Sequence, residues 1–165
     1  MHFSSDPPRL AASWPSAAIN GAINGLIAWS SFKGSATIPL SMDSIGSPGI
    51  TALGNAATAA FALTLIITCI TFFVFRASAR KAAQSPSTLR AMPFLPTGLR
   101  LAVQNTLLVF GGFVAAAVLW QRMAGTVHAS PLAAALVVAA VAALATAIAE
   151  WRTRREMLAT AGVGR

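Results

Sequence analysis

The feature that most constrains this chain is where its charges are missing. Arg100 is followed by no charged residue until Arg122, and Arg122 by none until Glu150. A helix rises about 1.5 Å per residue, so uncharged stretches of roughly 20 residues match the ~30 Å hydrocarbon core of a bilayer. Charged side chains make up only 10% of the 165 residues and hydrophobic ones 56%, whereas about a quarter of a soluble domain is charged. The runs are continuously apolar rather than alternating, as membrane helices are. The chain therefore reads as an all-α membrane protein forming one integral-membrane domain, a left-handed four-helix transmembrane bundle.

Local signals place the four spans. The first runs over about 15–32, with Pro15 at a helix-opening position where its missing N–H costs nothing. Residues 33–49 hold Pro39, Pro48 and three glycines and read as an external loop. The second span, about 50–75, is long enough to tilt or to protrude from the hydrocarbon. Residues 76–98 form a basic loop that begins as a helical continuation, RASARKAAQ, and breaks at Pro86 and at the PFLP sequence. The third and fourth spans cover about 99–120 and 131–151, joined by a short turn containing Gly125. In the last span, Val137, Val141, Leu144 and Ile148 form a bulky stripe in an alanine-rich background.

Orientation follows from the lysines and arginines, which are retained in excess on the cytoplasmic side. Arg9, Arg76, Arg80, Lys81, Arg90, Arg100, Arg152, Arg154, Arg155 and Arg165 fall on one side of the four-span scheme, and only Lys33 and Arg122 on the other. Both termini are thus expected in the cytoplasm, with the chain in an inner (plasma) membrane of bacterial type. Trp14, Trp29, Trp120 and Trp151 all sit at proposed span ends, where the amphipathic indole prefers to lie. A cleaved leader ending near Gly34, Ser35 and Ala36 is the alternative for the first span, but Arg9 alone makes a poor basic leader. Asn20 and Asn24 weaken that alternative further.

Polar and small residues inside the spans are the candidate functional positions. Residues 20–25, NGAING, put Asn20 and Asn24 one turn apart and Gly21 and Gly25 in the GxxxG relation that lets helices approach closely. Thr64, Thr68 and Thr71 form a hydroxyl stripe on the second span, with hydrogen bonds returned to the preceding turn as the plainest expectation. On the third span Asn105 shares a face with Gly112 and is a candidate polar partner of Asn20 or Asn24. These nine residues would serve either helix packing or a neutral polar path. Arg76, Arg80, Lys81, Arg152, Arg154 and Arg155 are candidate contacts to anionic lipid headgroups, each contributing about 1 kcal/mol against an anionic leaflet.

Several chemistries find no residues to carry them. The acids are Asp6, Asp43, Glu150 and Glu156, none in the middle of an expected span, so a proton-coupled carrier lacks its usual intramembrane ionisable group. The outline resembles the small multidrug-resistance exporters in architecture alone, because a carboxylate would be expected in the first span, where Asn20 and Asn24 stand. His2 and His128 are the only histidines, and no set of side chains has metal-ligand spacing, so no metal, haem or other cofactor is expected. Glu150, beside Arg152, Arg154 and Arg155, reads as a boundary ion pair at a helix end. The net charge of +8 follows from span-flanking residues, not from a solvated basic face with stacking aromatics, so no nucleic-acid partner is expected. Cys69 stands alone and excludes an intramolecular disulfide. The expected role is a non-enzymatic assembly, accessory or regulatory component that packs against itself or a larger membrane-protein partner. A small oligomeric permease or channel with a neutral polar path is the alternative.

Overall fold

The computed structural model describes residues 13–42, 51–81 and 94–160. The expected N-terminal tail, Pro48 at the end of the external loop, Arg90, Arg165 and the SPS break lie outside them, as do the side chains of Arg80 and Lys81. Within the described residues the chain forms helices α1 (Trp14–Phe32), α2 (Ala52–Lys81), α3 (Leu99–Ala124) and α4 (Pro131–Thr160), with short strands β1 (Ile38–Leu40) and β2 (Val127–Ala129).

Each helix begins where local chemistry permits. Pro15 lies in the first turn of α1. Thr51 caps α2, its Oγ1 accepting from Gly54 N at 3.2 Å, which satisfies one of the backbone donors left free at a helix start. Ser130 does the same for α4, accepting from Ala133 N at 3.2 Å, ahead of Pro131 at the first helical position. A five-residue π-helical turn, Phe94–Gly98, leads into α3, with Pro96 inside the turn rather than at the end of a helix. Gly125, at φ +68°, closes α3 by returning its N–H to Gln121 O at 2.9 Å.

By length and hydropathy three helical segments among the described residues can cross a membrane: Ala52–Ser78, Pro96–Ala124 and Pro131–Thr160. The helix α1 is not among them, because its 19 residues include two asparagines and three serines. It is nonetheless built into the same bundle, packed along α4. That packing is antiparallel: Gly25 lies against Ala135 and Ala139, Gly21 against Ala139 and Ala143, and Ser16 against Glu150. The helix α4 also packs on α2, and α2 on α3, with a smaller contact between α3 and α4. The helix α4 is therefore the hub, with α1 and α2 on different flanks and α3 joined mainly to α2.

The hub explains the alanine content of α4. Ala134, Ala135, Ala142, Ala145 and Ala149 are buried, while Leu144 of the bulky stripe is 53% exposed and Val137, Val141 and Ile148 are half-buried. Small residues inside and branched ones outside reverse the order of a soluble core. In lipid this is the favourable arrangement, because helix contact is driven by close packing and not by the exclusion of apolar surface from water. Ile19, Leu26, Leu107 and Leu136 are likewise more than 60% exposed, an outer surface suited to acyl chains.

Two apolar clusters close the ends. One joins Ala28, Phe32, Ile38, Ala56 and Val138; the other joins Phe72, Leu101 and Met157. Above the first cluster, β1 and β2 pair antiparallel, with Ile38 opposite Ala129 and Leu40 opposite Val127. This ribbon ties the α1–α2 and α3–α4 connections together at one end of the bundle. Gln121 reinforces the tie, its Oε1 accepting from Met42 N at 2.9 Å. Where only loop was expected, the two connections form a small structured cap.

Candidate functional site at the basic end of the bundle

At the opposite end, α2 and α4 run on past the expected span limits, to Lys81 and Thr160. The continuation of α4 brings three helices together around Asn105, which is 1% exposed. Its Nδ2 donates to Thr68 Oγ1 on α2 at 3.2 Å and to Thr153 Oγ1 on α4 at 3.1 Å. Its Oδ1 accepts from Arg152 Nε at 3.0 Å. The amide's orientation is set chemically: Thr153 spends its own hydrogen on Ala149 O at 2.7 Å, so its oxygen can only accept from Asn105. The Asn105 nitrogen must face Thr153, and its oxygen is left for Arg152.

A second polar contact joins α1 to α4. Glu150, 7% exposed, pairs with Arg154 one turn on, and its Oε2 accepts from the Ser16 hydroxyl. Ser13 O, 3.0 Å away, is the alternative acceptor for that hydroxyl. Burial of a carboxylate at this depth is tolerable because both a cation and a hydroxyl meet it. Arg155 lies over the Trp151 ring, 5.6 Å from its centroid.

Beside these contacts, where α3 and α4 touch little, lies a shallow, widely open groove of about 710 Å³. Its lining is Arg100, Gln104, Leu107 and Leu108 from α3 and Arg152 and Glu156 from α4. Among the described residues, Arg154–Glu150 is the one ion pair, so neither guanidinium of the groove is matched by a carboxylate. The donor set suits an anion joined to an apolar body.

The expected site residues thus separate into groups. Asn105 and Thr68 meet each other, with Arg152 and Thr153 as further partners in place of Asn20 or Asn24. Thr64 returns its hydroxyl to Ala60 O at 2.6 Å, and Thr71 is half-buried outside the Asn105 partner set. Asn20 and Asn24 are half-buried and donate within their own helix, to Ser16 O at 3.1 Å and Asn20 O at 2.9 Å. Gly21 and Gly25 face α4, whereas Gly112 and its neighbour Gly111 have open space where a Cβ would stand. Arg76 is half-buried, and its Nε is buried without a hydrogen-bond partner among the described residues. Of the arginines expected at lipid headgroups, Arg152 is engaged by Asn105, Arg154 by Glu150 and Arg155 by Trp151.

Sequence reasoning missed Ser16, Arg100, Gln104 and Thr153. The available signal was the segment EWRTRREML, a run of good helix formers with a Glu–Arg pair at i, i+4. It extends α4 and puts Thr153 one turn beyond Ala149. Among the described residues no group of three His, Cys, Asp or Glu side chains is placed to hold a metal ion. No family model, curated protein or solved structure matches the chain.

Proposed function

We propose that this chain is a four-crossing component of the inner membrane, with both termini cytoplasmic, and that its role is non-enzymatic assembly through the outer face of α3. The observation that carries the assembly reading is the contrast between two glycine pairs. Gly21 and Gly25 are filled against α4, while Gly111 and Gly112, equally able to admit a close neighbour, face open space on the helix least enclosed by the others. Small residues at mid-helix are where membrane helices make their nearest approaches. The Asn105 hydrogen bonds close on protein partners, which favours a packing role over a solute path.

The fourth crossing is supported by the way α1 follows α4. Trp14 and Trp151 lie toward the basic end, where Ser16 meets Glu150, and Trp29 and Trp120 toward the ribbon. On α1 the two indoles are about 22 Å apart along the axis at 1.5 Å per residue, a spacing that suits opposite interfaces. Packing against the hub compensates for the modest hydropathy of α1, and each of its asparagines returns one amide N–H to its own helix.

Two measurements test these readings. In a Cys69→Ala background, a membrane-impermeant maleimide applied to intact cells is expected to label Gly34→Cys and to leave both Ser5→Cys, before α1, and Arg155→Cys unlabelled until the cells are opened. Labelling of Ser5→Cys in intact cells puts both ends of α1 on one side and contradicts the four-crossing scheme. For assembly, Gly112→Cys is expected to crosslink between copies in native membranes. Gly112→Leu should weaken self-association about tenfold, or ~1.4 kcal/mol, without lowering the stability of the isolated protomer. A chain that stays monomeric at every protein-to-lipid ratio would rule out self-assembly through α3.

A further inference from the structure

We propose that the groove between α3 and α4 seats one anionic phospholipid, its phosphate between Arg100 and Arg152 and an acyl chain along Leu107 and Leu108. The proposal rests on the membrane-crossing reading above, which sets the basic end at a leaflet surface, and it is independent of whether α3 self-associates.

Three observations converge on this occupant. The first is a polarity gradient along one wall. Arg100 and Gln104 stand nearest the basic end of α3, while Leu107 and Leu108, 68% and 52% exposed, lie deeper. The step from Arg100 to Leu107 is about 10 Å along the helix. A molecule that is anionic at one end and apolar beyond it matches this wall; a free anion uses only half of it.

The second is charge. Arg154 is committed to Glu150 and Arg155 to the Trp151 ring, whereas the groove arginines have no carboxylate partner among the described residues. Glu156 shares the groove. Two guanidiniums and one carboxylate leave a single net positive charge, which complements one phosphodiester. The carboxylate of Glu156 is also an acceptor for a headgroup hydroxyl, so a glycerol-type headgroup is the best chemical match.

The third is a support built behind Arg152. A surface arginine normally samples many rotamers, and ordering it on a ligand costs conformational entropy. Here Asn105 Oδ1 holds Nε from the protein side, and the Thr68 and Thr153 oxygens fix the amide. The terminal guanidinium nitrogens are what remain to meet a phosphate, in the planar fork that suits one. Asn105 is thus a positioning residue for lipid binding, which gives the buried network a purpose beyond packing.

The test is native mass spectrometry of the full chain in mild detergent, titrated with phosphatidylglycerol, with phosphatidylcholine and with glycerol 3-phosphate. Phosphatidylglycerol adducts are expected over phosphatidylcholine by roughly tenfold, with Arg100→Gln and Arg152→Gln each cutting that preference about fivefold. Arg155→Gln should leave it unchanged. Asn105→Ala should reduce the preference about two- to threefold, because Arg152 regains rotamer freedom. A merely structural Asn105 would lower the unfolding midpoint and leave the lipid ratio intact. Equal adducts of the two lipids, wild-type preference in both groove-arginine variants, or displacement by millimolar glycerol 3-phosphate would overturn the proposal. The same spectra resolve protomer number separately. Lost lipid preference in an intact oligomer counts against the groove alone, and a lipid-selective monomer counts against assembly alone.

Discussion

Gly21→Val is expected to lower the stability of the bundle by about 3 kcal/mol, at the upper end of what overpacking a filled contact costs. A Cβ at Gly21 would stand 2.9 Å from Ala139 O and 3.0 Å from Ala143 Cβ. Neither neighbour can swing away: one is backbone and the other a methyl without a rotamer. Gly25→Val should behave similarly, since its Cβ would meet Ala139 Cβ at 2.8 Å. Gly111→Val is the internal control, because nothing lies within 4 Å of its Cβ position. Unfolding in mixed detergent micelles, followed by tryptophan fluorescence, gives the comparison. Equal losses at Gly21 and Gly111 would show that helix propensity, not the α1–α4 contact, sets the cost.

Asn105→Leu is expected to cost about 2–3 kcal/mol, combining three interhelical hydrogen bonds that in membranes average ~0.6 and reach ~1.7 kcal/mol each. The leucine fills much of the volume but leaves the Thr68 and Thr153 oxygens and Arg152 Nε without their partner. Asn105→Asp should cost less: a carboxylate still accepts from Arg152, and the Thr68 hydroxyl can turn to donate. Thr64→Val, which removes a hydroxyl bonded only to its own helix, should stay within about 0.5 kcal/mol. The same micelle titration ranks all three. If Thr64→Val proves as damaging as Asn105→Leu, the cross-helix network is not what holds this end together.

How much of this was legible beforehand differs by element. The glycines at Gly21 and Gly25 announced a close approach, because their spacing alone puts both on one face; which helix they would meet was not written in that spacing. The helices themselves were readable from their uncharged lengths, but their ends were not. Arginines at 152, 154 and 155 suggested a stop at the membrane surface, yet a helix can continue through water when i, i+4 pairs such as Glu150–Arg154 support it. The β ribbon was illegible, since each strand is three residues long, one contains Pro39, and neither shows alternation. Its pairing depends on two connections that meet only once the bundle has formed. The partners of Asn105 were obscured in the same way. A buried amide advertises a need for partners, but Thr153 becomes available only after α4 is extended.

The position of the hub in the chain has a consequence for biogenesis. The helix around which the others gather is the fourth of the described helices, and the Ser16–Glu150 contact joins residues 134 apart in sequence. During synthesis the glycine face of α1 stays unfilled until α4 has been made. Completion of the bundle is therefore tied to α4: a nascent chain truncated before α4 retains the α2–α3 contact but leaves α1 without its principal neighbour. Its Gly21 and Gly25 face, filled by Ala139 and Ala143 in the finished bundle, would then stand open.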